Sequence, residues 1–514
     1  MKLSELIPIL PEARQQGEDV EITGLAYDSR AVTPGTLFVA LRGAHSDGHD
    51  YIPQALNKGA AALMIHADQA GWYGAHGLPT LIVPNTRAIL PLLASEFYGQ
   101  PSRLLDLIGV TGTNGKTTTA HMIESIFRTL GERTGLIGTI GAMINGKSVP
   151  LERTTPESPD LQRLFADMVG VGVRRCVMEV SSQGITMQRT AECAFDTGVW
   201  TNLTQDHLDA HGTMEAYFAE KLRLFTEYPL SYPEKTFTAV INADDPYGLR
   251  IIEALETSGT TVLRYGLHDP TAPLRAVIDE ARPDGTRFTV TYQPPQGSAV
   301  IFTVNLQMGG LFQVANALAA IGVALLRRVP PTAIVNGLEA LPGVPGRFEL
   351  VPAPGRDFTV IVDYAHSPDG LENVLNSARA LTPKRLVCIF GCGGDRDPLK
   401  RPLMGRISSE LADLTILTSD NPRSENPDAI LSDILAGIDG GAAHSNVRVE
   451  VDRHAAIKIA LCELARPGDL IVIAGKGHET GQTAGGRTVP FDDRQVAREA
   501  LAECAEASAV AAGE

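Results

Sequence analysis

The sequence predicts an α/β protein built as three domains on largely parallel sheets. Three observations predict it. The chain has 514 residues, about three domains at roughly 150 residues apiece. Apolar runs of strand length alternate repeatedly with helical patterns, the mark of α/β units on parallel sheets. Two turn-rich stretches, YGQPSR ending at Arg103 and LPGVPGR ending at Arg347, read as linkers. They divide the chain into residues 1–100, 101–348 and 349–514.

In chain order, TLFVAL and AALMI read as strands of a smaller N-terminal α/β domain. LLDLIGV then opens the second domain as a buried strand. The following TTTAHMIESIFRTL sets Met122, Ile123, Ile126, Phe127 and Leu130 on one helical face. RFTVTY (287–292) and VIFTVN (300–305) alternate around PPQG, which predicts an antiparallel ribbon appended to the parallel sheet. TVIVDYAH, RLVCIFG, LTILTSD and DLIVIAG follow, each a strand-like run ending in a polar or glycine-rich loop. The Ala-rich tail after Gln495 reads as a helix.

Composition excludes several function classes. Hydrophobic residues make up 44%, enough for ordinary cores. A formal charge of -16 repels polyphosphate chains, so a sequence-blind nucleic-acid binder is not expected. A small anion then needs a local cationic pocket. The six cysteines form no CxxC pair, which points to reduced thiols in a cytoplasm. LIPIL near the start is too short and too Pro-broken for a signal sequence, and no run reaches the roughly 18 apolar residues of a membrane helix.

The clearest chemical motif is GVTGTNGKT at 109–117, between a predicted strand and a predicted helix. Glycines let the backbone curl so that N–H groups and the helix N-terminus face phosphate oxygens. In this reading Gly112, Thr113, Asn114, Gly115, Lys116, Thr117 and Thr118 form a phosphate loop. Lys116 reaches the β/γ-phosphates and the Thr117 hydroxyl holds Mg²⁺. The spacing departs from GxxxxGK[ST], with valine at 110 and the spare glycine at Gly112. A GTPase is disfavoured, because no NKxD loop follows.

TGTNGKTT together with EVSS (179–182), TNLTQDHLD (201–209) and DYAH (363–366) strongly resembles the Mur ligase family. DSR (28–30), GCGGDRD (391–397) and DNPR (420–423) narrow the match, which covers nearly the whole chain. The resemblance implies an N-terminal domain for a UDP-sugar, a central P-loop ATPase domain and a C-terminal Rossmann-like domain for an amino acid. It also implies ATP-dependent amide-bond formation in cytoplasmic peptidoglycan precursor synthesis, with Mg²⁺ and ATP, small-molecule substrates and a monomeric chain. No nucleic acid and no membrane insertion are expected.

Carried over position by position, Asn316, Arg347 and Asp363 match the family's adenine, phosphate and ribose contacts. Tyr27, Ser29, Ala44, His45 and Ser46 match the UDP contacts; Thr154, Thr155, Ser181, Met187 and Arg189 match those of the muramyl dipeptide. Glu179 and His207 match metal ligands, and Lys221 matches a lysine that the family carbamylates, turning a cation into an anion able to bind Mg²⁺. Lys116, Lys221 and His207 are thus the implied catalytic residues. From spacing alone, His207 and His211 share a helix face, and without HExxH or a nearby Cys they make no zinc site. Two departures stand out: Gln313 replaces a usual asparagine, and Met187-Gln188 replaces a usual Gln-His.

Within the family the motifs favour addition of meso-diaminopimelate to the D-glutamyl γ-carboxylate of UDP-N-acetylmuramoyl-L-Ala-D-Glu, through an acyl phosphate. Diaminopimelate is in effect lysine with a further carboxylate, which a guanidinium recognises and an ammonium does not. Arg423, preorganised by Pro422, and Arg396 would bind that carboxylate. Asp420, Asn421, Gly475 and Glu479 would complete the pocket, with acidic groups for the ammonium. These motifs follow strands and should gather at the carboxyl edge of one sheet. The rivals are the same reaction with L-lysine, or a P-loop nucleotide switch that makes no covalent product.

Overall fold

A computed structural model describes residues 1–43, 46–73, 78–381, 384–441 and 445–513. The UDP-side positions Ala44 and His45 lie outside the described residues. The chain divides into two compact units. The first comprises Met1–Thr111, Glu132–Gly198 and Glu220–Phe237; the second comprises Gly112–Gly131, Val199–Ala219 and Thr238–Glu514.

The first unit contains a five-stranded sheet in the order Arg14–Gln16, Thr80–Val83, Ala62–His66, Thr36–Val39, Gly24–Ala26. Only the Arg14–Gln16 edge runs antiparallel. Both expected strands are present, and their buried runs match a sheet covered on both faces. Leu37, Val39, Met64 and Leu81 pack on one face, and Phe38, Leu63 and Ile65 on the other. The same unit carries the parallel trio Asp106–Thr111, Arg175–Glu179 and Thr134–Gly138. Gly141–Ile144 and Lys147–Val149 extend it as an antiparallel hairpin.

The second unit begins with the helix Lys116–Thr129. Met122, Ile123, Ile126 and Phe127 are buried as their spacing predicts, but Leu130 is exposed. The helix ends at Thr129, so the apolar face loses its continuation one residue early. Gly337 allows the helix Pro331–Glu339 to lie against it, since a Cβ there would come within 2.4 Å of Ile126 Cα. The expected ribbon is present with one strand more than predicted. Leu274–Arg282 pairs antiparallel with Gly285–Tyr292, which pairs with Val300–Leu306. The helix Phe312–Leu326, apolar nearly all round, is buried as such a helix must be.

The C-terminal sheet runs Glu349–Val351, Thr359–Asp363, Asp469–Ala474, Arg385–Phe390, Leu414–Leu417, Val447–Val449, parallel except at the first edge. Alternation sorts its core. Leu386, Cys388 and Phe390 face one layer, and Val387 and Ile389 the other. The Ala-rich tail forms the helix Asp493–Gly513. One cysteine expectation is corrected: Cys462 and Cys504 are joined by a disulfide, Cα–Cα 5.6 Å, while Cys176, Cys193, Cys388 and Cys392 are free and buried. Two helices packed side by side bring together thiols 42 residues apart, and no local motif announces such a pair. Among the described residues, no helix is long and apolar enough to cross a membrane.

Candidate active site

The glycine-rich loop follows the strand Asp106–Thr111 and precedes the helix Lys116–Thr129, with Gly115 as its N-cap. Gly112 and Gly115 have φ of +144° and +84°. A Cβ at either would collide, at Gly112 with Thr201 Oγ1 and at Gly115 with Asn316 Oδ1, so glycine is required twice over. Not every loop amide is aimed as expected. Thr113 N–H donates to Asn202 O at 2.8 Å and Asn114 N–H to Asn202 Oδ1 at 2.9 Å. Asn202 thus shapes the loop, and the first turn of the helix, which includes Thr118, presents its amides to an anion.

The Lys116 ammonium folds back onto Gly112 O (3.0 Å) and Thr113 O (2.7 Å). The Thr117 hydroxyl, expected to face Mg²⁺, accepts from the Arg347 guanidinium at 3.1 Å. Two predicted phosphate contacts are therefore already adjacent. Asn316 Nδ2 donates to Gln313 Oε1 at 2.9 Å, so the departure at Gln313 still orients the asparagine expected to meet adenine. Asp363 caps two backbone amides, Phe348 N–H at 2.6 Å and Ala365 N–H at 2.7 Å, and burial pushes its carboxyl up to about 6 against the pull of Arg347. Arg347 also lies over the Tyr364 ring, 4.4 Å from its centroid.

The histidine reading is corrected. His207 is not on a helix face; it is the N-cap of Leu208–His211, in the left-handed region at φ +54°. Left-handed backbone at His207 takes it out of the helix proper, although His211 N–H still donates to His207 O at 3.1 Å and both side chains approach the Tyr217 ring. His207 Nε2 lies 3.6 Å from Asp206 Oδ2.

In the first unit, Thr155 is the hub. Its hydroxyl donates to Glu179 O at 3.0 Å and accepts from Ser181 N–H and O–H. Thr154 meets Thr139, whose N–H and O–H donate to the two carboxylate oxygens of Glu179. Arg189 donates to Thr155 O and to Glu157. Met187 closes the short helix Ser182–Thr186 through its backbone. Tyr27 donates to Asp160 at 2.6 Å, Ser29 donates to Gln54 at 2.8 Å, and Ser46 is exposed. Lys221 is 1% exposed, and its ammonium donates to Thr111 Oγ1 at 3.4 Å. Sequence reasoning missed Glu157, a buried carboxylate that meets Arg87, Arg153 and Arg189.

The amino-acid motifs do gather at the carboxyl edge of the C-terminal sheet. Gly475, φ +116°, lies so close to Asp420 that a Cβ would come within 2.5 Å of Oδ2. Asp420 is 7% exposed, and among the described residues its carboxylate accepts no hydrogen bond. Asn421 Nδ2 donates to Glu479 Oε2 at 2.8 Å. Arg423 has φ +52°, a strained conformation for a non-glycine residue. Backbone bonds to Thr483 O and from Gly485 N–H hold it there, and its guanidinium turns to Gly394 O. Pro422 is buried beside it, so the hairpin Gly481–Ala484 and Arg487–Pro490 preorganises Arg423 as much as the proline does. Arg396 is exposed on the facing loop. Lys476, fully buried between Asn421 and Glu479, is the second residue the sequence did not single out. It sits inside GKGHE, where a lone lysine reads as a surface charge.

The Thr117 hydroxyl and the Glu179 carboxylate are hard oxygen donors of the kind Mg²⁺ takes, and His207 would add a nitrogen. Among the described residues no three His, Cys, Asp or Glu cluster as a metal cage.

Models of three Mur ligase domains match the chain: the family's catalytic domain at residues 21–98, the middle domain at 110–324 and the glutamate ligase domain at 346–477. The UDP-N-acetylmuramoyl-L-alanyl-D-glutamate–2,6-diaminopimelate ligase of Bacillus licheniformis is 46% identical over 98% of this chain and all of its own. The enzyme of that name from Gloeobacter violaceus is 47% identical over 98% of each chain. A solved structure of a ligase of the same name aligns with a TM-score of 0.62 at 33% identity, covering 94% of this chain and 95% of its own. The fold and these relatives define an acid–amino-acid ligase, and the chain belongs to the Mur ligase family. It is an ATP-dependent enzyme that forms amide bonds.

Proposed function

We propose that this chain joins meso-2,6-diaminopimelate to the D-glutamyl γ-carboxylate of UDP-N-acetylmuramoyl-L-Ala-D-Glu in peptidoglycan precursor synthesis. The carrying observation is the charge pattern at the C-terminal sheet edge. Asp420 is a nearly buried carboxylate whose oxygens accept no hydrogen bond among the described residues, and three residues on in the same loop Arg423 stands in strained backbone. One group calls for an ammonium and the other for a carboxylate, the two ends of an amino-acid terminus. The names of the relatives support the same acceptor.

In the reaction, ATP phosphorylates the γ-carboxylate, the diaminopimelate amine attacks the acyl phosphate, and phosphate leaves. Lys116 gives up its loop carbonyls to meet the phosphates, Arg347 at the Thr117 hydroxyl adds a second cation, and fixed charges offset the transferring phosphoryl group. Thr117, Glu179, His207 and the carbamate form of Lys221 would hold Mg²⁺, which supplies further charge neutralisation when bound. Burial of Lys221 supports its modification, because an anion suits a cation site and a buried ammonium is costly. A carbamate signal from protein equilibrated with isotope-labelled bicarbonate, lost in Lys221→Ala, tests that assignment. We assign residues 1–100, 101–348 and 349–514 to the UDP-sugar, ATP and amino-acid roles, in a cytoplasmic monomer.

The test is product formation from ATP, UDP-muramyl dipeptide and each amino acid in turn. Diaminopimelate should be ligated and L-lysine should not. Arg423→Ala should cut kcat/KM for diaminopimelate by about 10- to 100-fold, the worth of a charge-assisted pair. Equal turnover of both amino acids by the unaltered enzyme refutes the specificity; phosphate release indifferent to either acceptor refutes the reaction.

A further inference from the structure

Lys476 follows the strand Asp469–Ala474 by two residues and is 0% exposed. Its ammonium donates to Asn421 Oδ1 at 3.1 Å and to Glu479 Oε2 at 3.0 Å. Asn421 Oδ1 also accepts from Thr483 N–H at 3.0 Å, and Asn421 Nδ2 donates to Glu479 Oε2 at 2.8 Å. This arrangement has one solution. Flipping the Asn421 amide would set its NH₂ against an ammonium and a backbone N–H at once. Glu479 Oε2 therefore takes two donors, while Oε1 takes none among the described residues, on a side chain that remains about a third exposed. The carboxylate is held with one oxygen facing outward.

Burying an ion pair is weak evidence for stability, since desolvation consumes most of the attraction. The local charge gives it another use. Lys476 is the cation paired with Glu479, and Asp420 adds a second carboxylate to the same edge. Diaminopimelate, with two ammonium and two carboxylate groups, is neutral, whereas lysine carries one excess positive charge. Deleting Lys476 would make the edge more negative by one charge and so shift the balance toward the cationic amino acid.

We propose that Lys476 is a positioning and specificity-determining residue: it fixes the Asn421–Glu479 pair toward the acceptor's ammonium and discriminates against acceptors of net positive charge. This rests on the functional reading above. The experiment compares Lys476→Met, Glu479→Gln and the double variant, with ATP, UDP-muramyl dipeptide, meso-diaminopimelate and L-lysine each varied. In Lys476→Met, KM for diaminopimelate should rise about tenfold while the KM values for ATP and UDP-muramyl dipeptide stay within about twofold. The diaminopimelate-to-lysine ratio of kcat/KM should fall about tenfold. The double variant leaves no orphaned charge, so it tests the idea even where Lys476→Met does not fold. It should match Glu479→Gln in KM for diaminopimelate, because Lys476 acts through Glu479.

Three results overturn the proposal: KM values for all three substrates moving together, an unchanged selectivity ratio, or additive effects in the double variant. If the unaltered enzyme ligates no diaminopimelate, the functional reading falls. If it does so and Lys476→Met leaves the acceptor KM unmoved, only this inference falls.

Discussion

Asp369, in the first turn of the helix Pro368–Leu381, accepts a hydrogen bond from Asn114 of the glycine-rich loop at 2.6 Å. The same oxygen accepts from Thr204 Oγ1 at 3.1 Å, and Thr204 N–H in turn donates to Thr113 Oγ1. One carboxylate thus ties the C-terminal sheet's first helix to the glycine-rich loop and to the loop carrying Thr204, both part of the proposed ATP site. Burial raises its pKa, and the donors oppose the rise. Asp369→Ala should raise KM for ATP about tenfold, the loss of hydrogen bonds to a charged acceptor, and leave KM for UDP-muramyl dipeptide within about twofold. Steady-state phosphate release with each substrate varied checks it. An unchanged KM for ATP would mean that the contact does not shape the loop in solution.

Glu157 organises the residues proposed to meet the muramyl dipeptide in the same manner. Its carboxylate receives Arg87 at 2.9 Å, Arg189 at 3.0 Å and Arg153 at 3.5 Å, an excess of positive charge around one buried anion. That excess is available to an anionic substrate, and Glu157 sets where the Arg189 guanidinium stands. Glu157→Gln keeps the shape and removes the charge that holds the arginines. KM for UDP-muramyl dipeptide should rise by about 10-fold or more, with KM for ATP unmoved, and stability should drop by about 1–3 kcal/mol. Urea titration and substrate-varied kinetics together test both halves. A stability loss with unaltered substrate KM would reduce Glu157 to a structural anion.

What could be read from the chain follows from how each feature is encoded. The C-terminal strands are buried on both faces, so they appear as unbroken apolar runs, and their motif-bearing loops necessarily fall at one edge. Gly112 and Gly115 are legible because the backbone there excludes a Cβ. The strand Leu274–Arg282 escaped notice because its solvent face carries charges that hide the period of two. The His207–His211 spacing misled because spacing carries no information about a left-handed N-cap. Glu157, Lys476 and Asn202 each depend on at least one partner far along the chain, Arg87 and Arg189, Asn421, and the glycine-rich loop respectively, and such contacts leave no local signature. The charge of -16 excluded long polyanions yet was silent about these enclosed cations.

His478 supplies a dependence of stability on pH. Its ring centroid lies 5.0 Å from that of Tyr364, and its Nδ1 is buried without a hydrogen-bond partner among the described residues. Burial, reinforced by Arg347 and Arg494, pulls its pKa down to about 3. In the unfolded chain the imidazole titrates near 6.5. As pH falls from about 6.5 toward about 3, the unfolded state binds a proton that the folded state refuses, so stability is lost across that window. His478→Gln removes this contribution and leaves the others in place. The drop in melting temperature between about pH 7.5 and about pH 5 should be smaller in the variant than in the unaltered protein. Parallel curves for the two proteins would show that His478 does not remain neutral in the folded state.

Arg453 and Asp493 form a bidentate pair buried on both sides, Nε–Oδ1 and Nη2–Oδ2 both 2.7 Å. Arg453 also donates to Ala474 O at 2.9 Å and to Ser419 O at 3.4 Å, the carbonyls immediately before Gly475 and Asp420. The pair therefore anchors the two loops proposed to carry the acceptor pocket. Removing one partner strands a charge where no water reaches it. Arg453→Met should cost about 3–5 kcal/mol, whereas Arg453→Met with Asp493→Leu should recover most of that loss. The recovery should not extend to function. Without the guanidinium, Ala474 O and Ser419 O lose their donor, so KM for the amino-acid acceptor should stay elevated even where stability returns. Urea unfolding of the single and double variants, followed by acceptor-varied kinetics on the double, separates the two effects. A double variant as unstable as the single would show that the carbonyl contacts, and not the orphaned charge, dominate the cost. Restored acceptor KM would show that the loops keep their places without Arg453.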